Sequence, residues 1–400
     1  MAGIEQGSLL TVGVEAHQVH ACLVESVGPA YRLAGWSTVQ NDEFFIVGQQ
    51  VSRACRQLGE RLGRVLWDDD QDTPVYQSQD AVRYPPLQYV SAAATSRPRL
   101  RVWLAGLSST ISMAAARQAL RSSPIQIVGT THLEADLDGS DLADELIDGQ
   151  PDVMVIVGGY DTSTAAIQEP LITLCRVIGL ALQRMPPGQH PTIFYAGNHQ
   201  MAGHVYQLLS KVSDRIQVQV LENIQPTPDL LRQAGIAHAM THYHWQLCQR
   251  MSGFTKLADW ITSPAQITSM DWSFAQLVQS WRIYQNLPEL HGLYCSKDWW
   301  LHVWASQSQG ELHLAYVDAN TRPNQMHDWP PLGLVSGQPS KSPWNLWAAP
   351  SVAWWDHSGM APVVAPLAQI SPQAMIQVLG YDLLERQAIR SKSDGKMDNG

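Results

Sequence analysis

The sequence has few cysteines, and none of them stand close together. Its five cysteines are odd in number and form no CxxC motif; they are Cys22, Cys55, Cys175, Cys248 and Cys295. Disulfide-rich domains and cysteine-based zinc sites need paired or regularly spaced cysteines. The first residues also lack the basic and apolar segments of a secretion signal. We therefore expect reduced thiols, no metal site and a cytoplasmic location.

Clusters of basic residues and long apolar runs are missing too. The 400 residues include 26 Lys and Arg against 36 Asp and Glu, and the formal net charge is −10. Because the basic residues are scattered, neither nucleic acid nor an anionic membrane is expected as a partner. No apolar run approaches the roughly 20 residues that cross a bilayer. P-loop and GxSxG motifs are absent as well, so the motifs themselves predict no catalytic residue.

The clearest positive feature is a β-α-β unit in the middle of the chain. After Asp152, residues 153–157 are an unbroken apolar run, an amphipathic segment follows over 163–185, and residues 192–196 form a second apolar run. Strands that are apolar on both faces are typical of parallel sheets. We therefore expect an α/β fold in this part of the chain.

Glycine and polar residues follow both of these strands. They are Gly158, Gly159 and Asp161 after the first strand, and Gly197 and Asn198 after the second. Open α/β sheets bind ligands at the carboxyl ends of their strands, which suits a binding role for these residues. The same residues also suit sharp turns, with Asp161 capping the next helix. Both interpretations stay open at this point.

Antiparallel strands are expected at two other places. Short apolar runs between residues 9 and 39 predict a three-stranded meander, and a helix is expected over 45–62. Strands and helices then alternate from residue 100, which gives the order βββαβαβαβαβ up to residue 196. A second meander is expected over 291–317, after a mostly helical segment over 256–286.

This pattern predicts four regions along the chain. They are a first lobe with an α/β insertion over 1–255, a helical bridge over 256–288, a shortened second lobe over 289–389 and a disordered tail over 390–400. Twelve of the fifteen tryptophans lie from Trp245 onward. We expect most of them in the core, and an exposed aromatic surface of the second lobe as a contact for another protein.

Four segments in fixed order resemble one protein family. Residues 100–107 form an apolar strand, residues 151–161 end in Gly-Gly-Tyr-Asp, residues 195–198 are Tyr-Ala-Gly-Asn and residues 222–226 are Glu-Asn-Ile-Gln-Pro. From about residue 8 to about residue 320 the chain is similar to the accessory proteins of glutamate (methylaspartate) mutase, the MutL or GlmL family. That family's pattern is GGxDGG, then AGN, then an NVxP-type segment. Thr162 and Ser163 replace the last glycines of the first motif.

The resemblance implies a fold and a partner. Its family belongs to the superfamily of actin, sugar kinases and Hsp70, in which two lobes each begin with a β-meander. Members hold ATP and Mg²⁺ between two Asp-x-Gly turns, one in each meander. They are thought to serve an adenosylcobalamin-dependent mutase as chaperone or reactivating factor, which makes such a mutase the implied partner.

Both phosphate turns depart from the family's pattern in this sequence. The matching positions are Gly13, Glu15 and Ala16 in the first turn, and Cys295, Lys297 and Asp298 in the second. Gly13 and Cys295 replace the two Asp residues, whereas Glu15 and Lys297 replace the two Gly residues. Only Glu15 or Asp298 remains as a displaced carboxylate. We therefore expect degenerate turns and no bound cofactor, with ATP and Mg²⁺ bound only if the turns prove functional.

These observations lead to one main hypothesis and two alternatives. The main hypothesis is a catalytically degenerate actin-like protein that acts through protein contacts, as a scaffold or as a regulatory, chaperone-like subunit. Its partner would be a subunit of a cobalamin-dependent mutase or a second copy of itself. The first alternative is an active ATP-dependent chaperone of such a mutase. The second is a small-molecule binding protein that uses the strand ends at Gly159 and Gly197.

Overall fold

The computed structural model describes residues 7–27, 30–42, 45–77, 84–134, 139–162, 164–186, 188–262, 267–284, 286–296, 299–306 and 312–318. Strands and helices account for most of these residues. The strands are β1 (Ser8–Glu15), β2 (Gln18–Val27), β3 (Ala30–Gln40), β4 (Trp67–Asp68), β5 (Thr73–Pro74), β6 (Leu87–Thr95), β7 (Leu100–Gly106), β8 (Ile125–His132), β9 (Val153–Val157), β10 (Thr192–Tyr195), β11 (Val218–Val220), β12 (Glu289–Cys295), β13 (Trp299–Ser306) and β14 (Leu312–Asp318). The helices are α1 (Val47–Leu62), α2 (Ser112–Leu120), α3 (Gly139–Gly149), α4 (Thr164–Arg184), α5 (Ala202–Ser210), α6 (Ala234–Gln249), α7 (Phe254–Trp260) and α8 (Met270–Tyr284).

The chain forms two compact units. Met1–Pro98 and Trp245–Gly400 make the first unit, and Arg99–His244 make the second, here called the inserted unit. The predicted α/β class is confirmed, since the described residues form one mixed, one parallel and two antiparallel sheets together with helices. The four predicted regions have other boundaries than these two units, and they stay a prediction. The predicted tail and the second lobe beyond residue 318 lie outside the described residues.

A four-stranded sheet with the order β3-β2-β1-β6 forms the base of the first unit. β1, β2 and β3 are the predicted antiparallel meander, whereas β6 pairs with β1 in parallel. Thr268 continues the sheet beyond β6, because it bridges Ala93 in parallel and its carbonyl accepts a hydrogen bond from the amide of Ala94 at 2.8 Å. One face of the sheet packs on α1, whose buried side chains include Val51 and Leu58.

A second antiparallel sheet, β12-β13-β14, completes the described part of the first unit. It confirms the meander expected over 291–317. Helix α8 packs on it through Phe274 and Val278, which share a core with Leu301 and Val303 of β13. The strand β13 is buried along its whole length, including its three tryptophans. These tryptophans are core residues, as most of the tryptophans were expected to be.

The inserted unit is built on a five-stranded sheet in which all strands are parallel. Their order is β11-β10-β9-β7-β8. Numbered along the chain and read from the β8 edge, this is the order 2-1-3-4-5 of the flavodoxin-like sheets. Helices α3, α4 and α5 supply the core on one face. On the other face Tyr243 of α6 contacts Phe194 of β10, and Met113 of α2 approaches Gly106 of β7.

Helix α4 is long and apolar, a feature that the sequence analysis overlooked. By length and composition alone, Ala165–Arg184 would suffice to cross a bilayer. In the structure Leu171, Leu174 and Ile178 are fully buried in the core of the inserted unit. The apolar character of α4 is therefore explained by its packing on the parallel sheet. Glu169 and Pro170 interrupt the run in the sequence, which is why it does not stand out by inspection.

Candidate functional site

Five loops meet at one edge of the inserted unit, because the carboxyl ends of parallel strands lie at the same edge of a sheet. These loops follow β7, β8, β9, β10 and β11. The residues singled out as Gly-Gly-Tyr-Asp, Ala-Gly-Asn and Glu-Asn-Ile-Gln-Pro lie in the last three of them. The sequence prediction that the strand ends of β9 and β10 lie side by side agrees with their parallel pairing.

The side chain of Asp161 connects three of these loops. Its Oδ1 accepts hydrogen bonds from the backbone amide of His199 and from Nδ2 of Asn223, both at 2.9 Å. The same Asn223 amide group also donates to the carbonyl of Gly159 at 2.9 Å. The backbone amide of Asp161 donates to the carbonyl of Pro226 at 2.9 Å. Asp161 thus joins the loops after β9, β10 and β11.

Asn198 is fully buried, and its hydrogen bonds hold the loops after β9 and β10. Its Nδ2 donates to the carbonyl of Tyr160 at 2.5 Å, and its Oδ1 accepts from the backbone amide of Met201 at 3.2 Å. The hydroxyl of Tyr195 donates to the Asn198 carbonyl at 2.9 Å, and burial raises the pKa of Tyr195. Both polar ends of the Asn198 side chain are therefore engaged in holding turns, which supports the turn-forming interpretation of this residue.

The glycines at this edge allow two loops to touch backbone to backbone. A methyl group on Gly197 would lie 2.6 Å from the carbonyl oxygen of Gly158. Gly158 and Gly159 have φ angles of 138° and 80°, in the region that favours glycine. The amide of Asn198 donates to the Gly158 carbonyl at 3.0 Å across this contact. Gly197 is thus required for close approach of the two loops, and it does not line open space.

An open cavity lies beside this contact, between the loop after β7 and the loop after β9. Its volume is about 160 Å³. Most of its wall is apolar, and the apolar lining includes Leu107, Ile111, Ala115, Val157, Ile167 and Ile224. Gly158 and Gly159 contribute to the wall. The position corresponds to the switch point of a 2-1-3-4-5 sheet, where β7 and β9 are neighbours and their connections diverge.

A carboxylate of the chain itself, that of Glu134, binds to Ser109 in the loop after β7. Glu134 Oε2 accepts hydrogen bonds from the backbone amide of Ser109 at 3.3 Å and from its hydroxyl at 3.2 Å. The amide of Ser109 lowers the pKa of the Glu134 carboxyl. Loops of this kind ahead of a helix bind anions readily. Here the chain supplies its own anion, a contact that the sequence analysis did not identify.

The first of the two degenerate turns lies in the first unit, between β1 and β2. Gly13 is in the middle of the sheet, paired with His20 of β2 and with Ala93 of β6. Glu15 is the last residue of β1 and is only 5% exposed. Ala16 follows in a two-residue turn, at which the Nδ2 of Asn41 donates to the Glu15 carbonyl at 2.8 Å.

The Glu15 carboxylate is bound by side chains of the second antiparallel sheet. Its Oε1 accepts a hydrogen bond from the hydroxyl of Tyr294 at 2.5 Å. Ser296 Oγ lies 3.5 Å from Oε2, and His20 Nε2 lies 3.5 Å from Oε1. The carboxylate therefore points into the protein and is engaged there. Tyr294 is 279 residues away in sequence, so no local pattern indicated this contact.

A second buried carboxylate, Asp271 at the start of α8, belongs to the same region. Its Oδ2 accepts a hydrogen bond from the hydroxyl of Tyr316 at 2.9 Å, whereas no residue that the structure describes donates to its Oδ1. Burial raises the pKa of Asp271 to about 7; the Tyr316 hydroxyl lowers it, and the negative charge of Glu15 raises it. Asp271 was not among the predicted site residues, because an acidic residue in a first helical turn is ordinary.

The second degenerate turn follows β12. Cys295 is the last residue of that strand and pairs with Trp300 of β13. Lys297 and Asp298 lie outside the described residues. Within the described part of the chain, no group of three or more His, Cys, Asp and Glu residues is arranged to hold a metal ion.

These features define a class of protein before any relative is considered. It is an α/β protein in which a parallel sheet of flavodoxin-like order is inserted between two segments of a unit built on antiparallel meanders. A sequence model of the MutL protein family matches residues 4–279, which is more than half of the chain. The chain therefore belongs to the MutL protein family. The predicted relationship to the glutamate mutase accessory proteins is confirmed.

Other comparisons add little to this assignment. No curated protein matches the sequence. One solved structure that matches is entitled "Mechanism of ATP-Dependent Acetone Carboxylation, Acetone Carboxylase nucleotide-free structure", with 8% identity and a TM-score of 0.34. That match covers 78% of this chain and 48% of the other, so the chain spans about half the length of that protein. A likeness of this size carries no argument about fold or function.

Proposed function

We propose that this protein is a degenerate, actin-like member of the MutL family that acts through contacts with another protein and does not hydrolyse ATP. The partner implied by the family is a subunit of an adenosylcobalamin-dependent glutamate mutase. The observation that carries the proposal is the Glu15 carboxylate, which lies buried against Tyr294 at the turn where the family's pattern has a bare glycine. We also propose that the protein binds no cofactor and that it is cytoplasmic.

The surroundings of Glu15 support the loss of phosphate binding. A phosphate turn offers backbone amides and an Asp that orients Mg²⁺ or water. Here Gly13 leaves the strand without that carboxylate, and the acidic side chain that remains is held by Tyr294 and lies near His20. An acidic group at this turn also repels a triphosphate. Glu15 would have to leave its hydrogen-bonded position before ATP could bind.

The sheet order of the first unit supports the actin-like assignment. An antiparallel meander, a fourth strand parallel to β1 and a further parallel bridge at Thr268 form the described sheet. A second meander, β12-β13-β14, follows α8. Two meanders in this order are what the family resemblance implies for a superfamily member. The tryptophan-rich surface has less support: Trp299, Trp300 and Trp304 of the predicted second lobe are buried, and Trp272, which is 46% exposed, lies in the predicted bridge.

Nucleotide binding is tested by thermal unfolding of the full chain with and without Mg-ATP. A ligand present at a hundred times its Kd stabilises a protein by about 2.7 kcal/mol. We expect no change in Tm at millimolar Mg-ATP, with Mg-AMP as the control for nonspecific effects. A rise in Tm with Mg-ATP that is lost in Glu15→Gln would support the alternative of an active, ATP-dependent chaperone. Gln keeps an acceptor for Tyr294, so this variant should remain folded.

The contact with a partner is tested with purified glutamate mutase subunits. We expect one of them to bind the full chain with equal affinity in the absence and presence of Mg-ATP, measured by isothermal titration calorimetry. Binding that requires ATP would contradict the proposal, as would failure of every subunit to bind. The first result would favour the chaperone alternative, and the second would remove the mutase as a partner.

A further inference from the structure

The cavity between the loops after β7 and β9 is not used by the proposed function. It lies in the inserted unit, whereas the degenerate turn at Glu15 lies in the first unit. Open α/β sheets bind ligands where the strand order reverses, because the connections leave neighbouring strands in opposite directions and open a crevice. In this sheet that place is between β7 and β9. The cavity therefore lies where the topology predicts a ligand.

We propose that this cavity binds the uncharged, ring-sized end of a small molecule. Its volume of about 160 Å³ is comparable with engineered apolar cavities of roughly 150 Å³ that bind benzene. The opposite walls are apolar, with Ile111 just before α2, Ala115 from α2 and Ile167 from α4. Ile111 is 52% exposed, so the cavity reaches the surface at that residue. The rest of a larger ligand leaves the cavity there.

Charge and hydrogen bonding exclude an anionic group as the occupant. In the loop ahead of α2, the amide of Ser109 already donates to the carboxylate of Glu134. Donors on the wall are engaged within the unit: the amide of Ser108 donates to Ser112 Oγ at 3.1 Å, and Nε2 of Gln225 donates to the carbonyl of Pro228 at 3.2 Å. Asn223, which also lines the cavity, uses its Nδ2 on Asp161 and its Oδ1 on the amide of Gln225. These donors are thus engaged within the unit, and the wall offers a ligand mainly apolar contact.

The loops that form the cavity are held in place before a ligand arrives. Asp161 and Asn198 bond across the loops after β9, β10 and β11, and Gly197 packs against the Gly158 backbone. A preformed cavity costs little ordering entropy on binding. The motif residues therefore have a supporting role: they shape the cavity, and only Gly158 and Gly159 among the predicted ligand-binding residues line it.

The experiment is a titration of the full chain with benzene and indole, measured by saturation-transfer NMR, and with inorganic phosphate, measured by isothermal titration calorimetry. We expect benzene to bind and phosphate not to bind. Ala115→Leu places a larger side chain in the cavity and should weaken benzene binding at least tenfold. Ala114→Leu makes the same change on the exposed side of α2 and should leave the affinity unchanged.

A second variant tests the cavity in the opposite direction. Leu107 lines it, and Leu107→Ala enlarges it. We expect the variant to prefer indole, whereas the wild-type chain prefers benzene. Equal benzene affinity in Ala115→Leu and wild type, or no benzene binding by the wild type, overturns the proposal. Phosphate binding that competes with benzene overturns the uncharged character of the ligand. None of these results depends on whether the first unit binds ATP.

Discussion

Glu15 and Asp271 are two buried carboxylates, and they differ in the number of polar groups near their oxygen atoms. Glu15 is bonded to a tyrosine and also lies near Ser296 and His20. Asp271 is bonded to Tyr316 through one oxygen, and its other oxygen is buried with no hydrogen-bond partner in the described part of the chain. Burying a carboxylate favours its protonated form unless charges or hydrogen bonds compensate. At the scale of single residues, Asp271 makes the stability of the first unit sensitive to pH, and Glu15 makes it sensitive to substitution.

The first prediction concerns the pH dependence that Asp271 produces. Because its pKa is raised in the folded state, to about 7, the folded chain binds a proton that the unfolded chain releases near pH 4. Its contribution therefore lowers the stability as pH rises from about 4 to 7, by up to roughly 4 kcal/mol. Glu15 on β1, Tyr316 on β14 and the buried thiol of Cys248 interact with this carboxyl.

Urea unfolding at pH values between 4.5 and 7.5 measures this contribution. Asp271→Asn should remove the part of the slope that belongs to this residue, and Tyr316→Phe should move it to higher pH because a hydrogen bond that lowers the pKa is lost. Asp144→Asn, an exposed acidic residue on α3, serves as the matched control. An unchanged slope in Asp271→Asn would show that the group is ionised in the folded chain.

The second prediction concerns the hydrogen bond between Glu15 and Tyr294. Glu15→Ala leaves the buried tyrosine hydroxyl without its acceptor, which costs about 1–3 kcal/mol. Glu15→Gln keeps an acceptor and should cost less. In a double-mutant cycle at pH 5, Tyr294→Phe should be less harmful in the Glu15→Ala background than in the wild type. Additive effects of the two substitutions would argue that the bond does not form in solution.

At the scale of elements, the carboxyl edge of the parallel sheet depends on close contact between loops. The loop after β10 touches the loop after β9 at Gly197, where the backbone of Gly158 leaves no room for a side chain. Asp161 then ties both to the loop after β11. A displacement of one loop therefore displaces the next one, because the contact is between backbone atoms, which cannot move aside by changing rotamer.

The third prediction follows from this contact. Gly197→Ala should destabilise the inserted unit by about 1–3 kcal/mol, because the new methyl group meets the Gly158 carbonyl. Gly203→Ala is the matched control: it lies inside α5, nothing lies within 4 Å of its added methyl group, and it should be stabilising by up to about 1 kcal/mol. Urea unfolding compares the two. Equal effects of both substitutions would contradict the contact.

Elements with a strong local pattern could be predicted from the sequence, and those defined by distant partners could not. The run that forms β9 and the amphipathic segment that forms α4 were recognised at nearly their full length. β6 was missed, since its residues Ala92, Ala93 and Ala94 carry little strand preference. Ala93 faces α8 while its two neighbours face the α1 side, so small side chains are needed on both faces.

The candidate site was predictable to a similar degree. The glycines and polar residues after β9 and β10 were placed at one edge because parallel strands end together. The assignment of Gly197 to a ligand site could not have been judged from sequence, since its role depends on the distance to the Gly158 backbone. The contacts of Glu134 with Ser109 and of Glu15 with Tyr294 join residues far apart in the chain.

At the scale of the whole molecule, the inserted unit has a core of its own. Its buried side chains come from β7, β9 and β10 and from α3, α4 and α5, all within residues 99–244. A parallel sheet of five strands with helices on both faces meets the usual requirements for independent folding. The two remaining segments of the chain form the first unit together.

The fourth prediction is that residues 99–244 fold when expressed alone. Circular dichroism should show cooperative thermal unfolding of this fragment. Ile178→Asp places a charge in its core and should abolish the transition, whereas Leu180→Asp, two residues further along α4 at a position 56% exposed, should preserve it. A fragment without a cooperative transition would mean that the inserted unit needs the rest of the chain.

The hydrogen bond from Tyr294 to Glu15 also implies an order in which the two units can fold during synthesis. The acidic side chain at the end of β1 leaves the exit tunnel early, and its partner is made 279 residues later. The nascent chain completes all of the parallel sheet in that interval, while the four-stranded sheet still lacks its edge at Thr268. The segment in the middle of the chain can therefore reach its native state first, whereas Glu15 has no Tyr294 to bind until synthesis has passed residue 294.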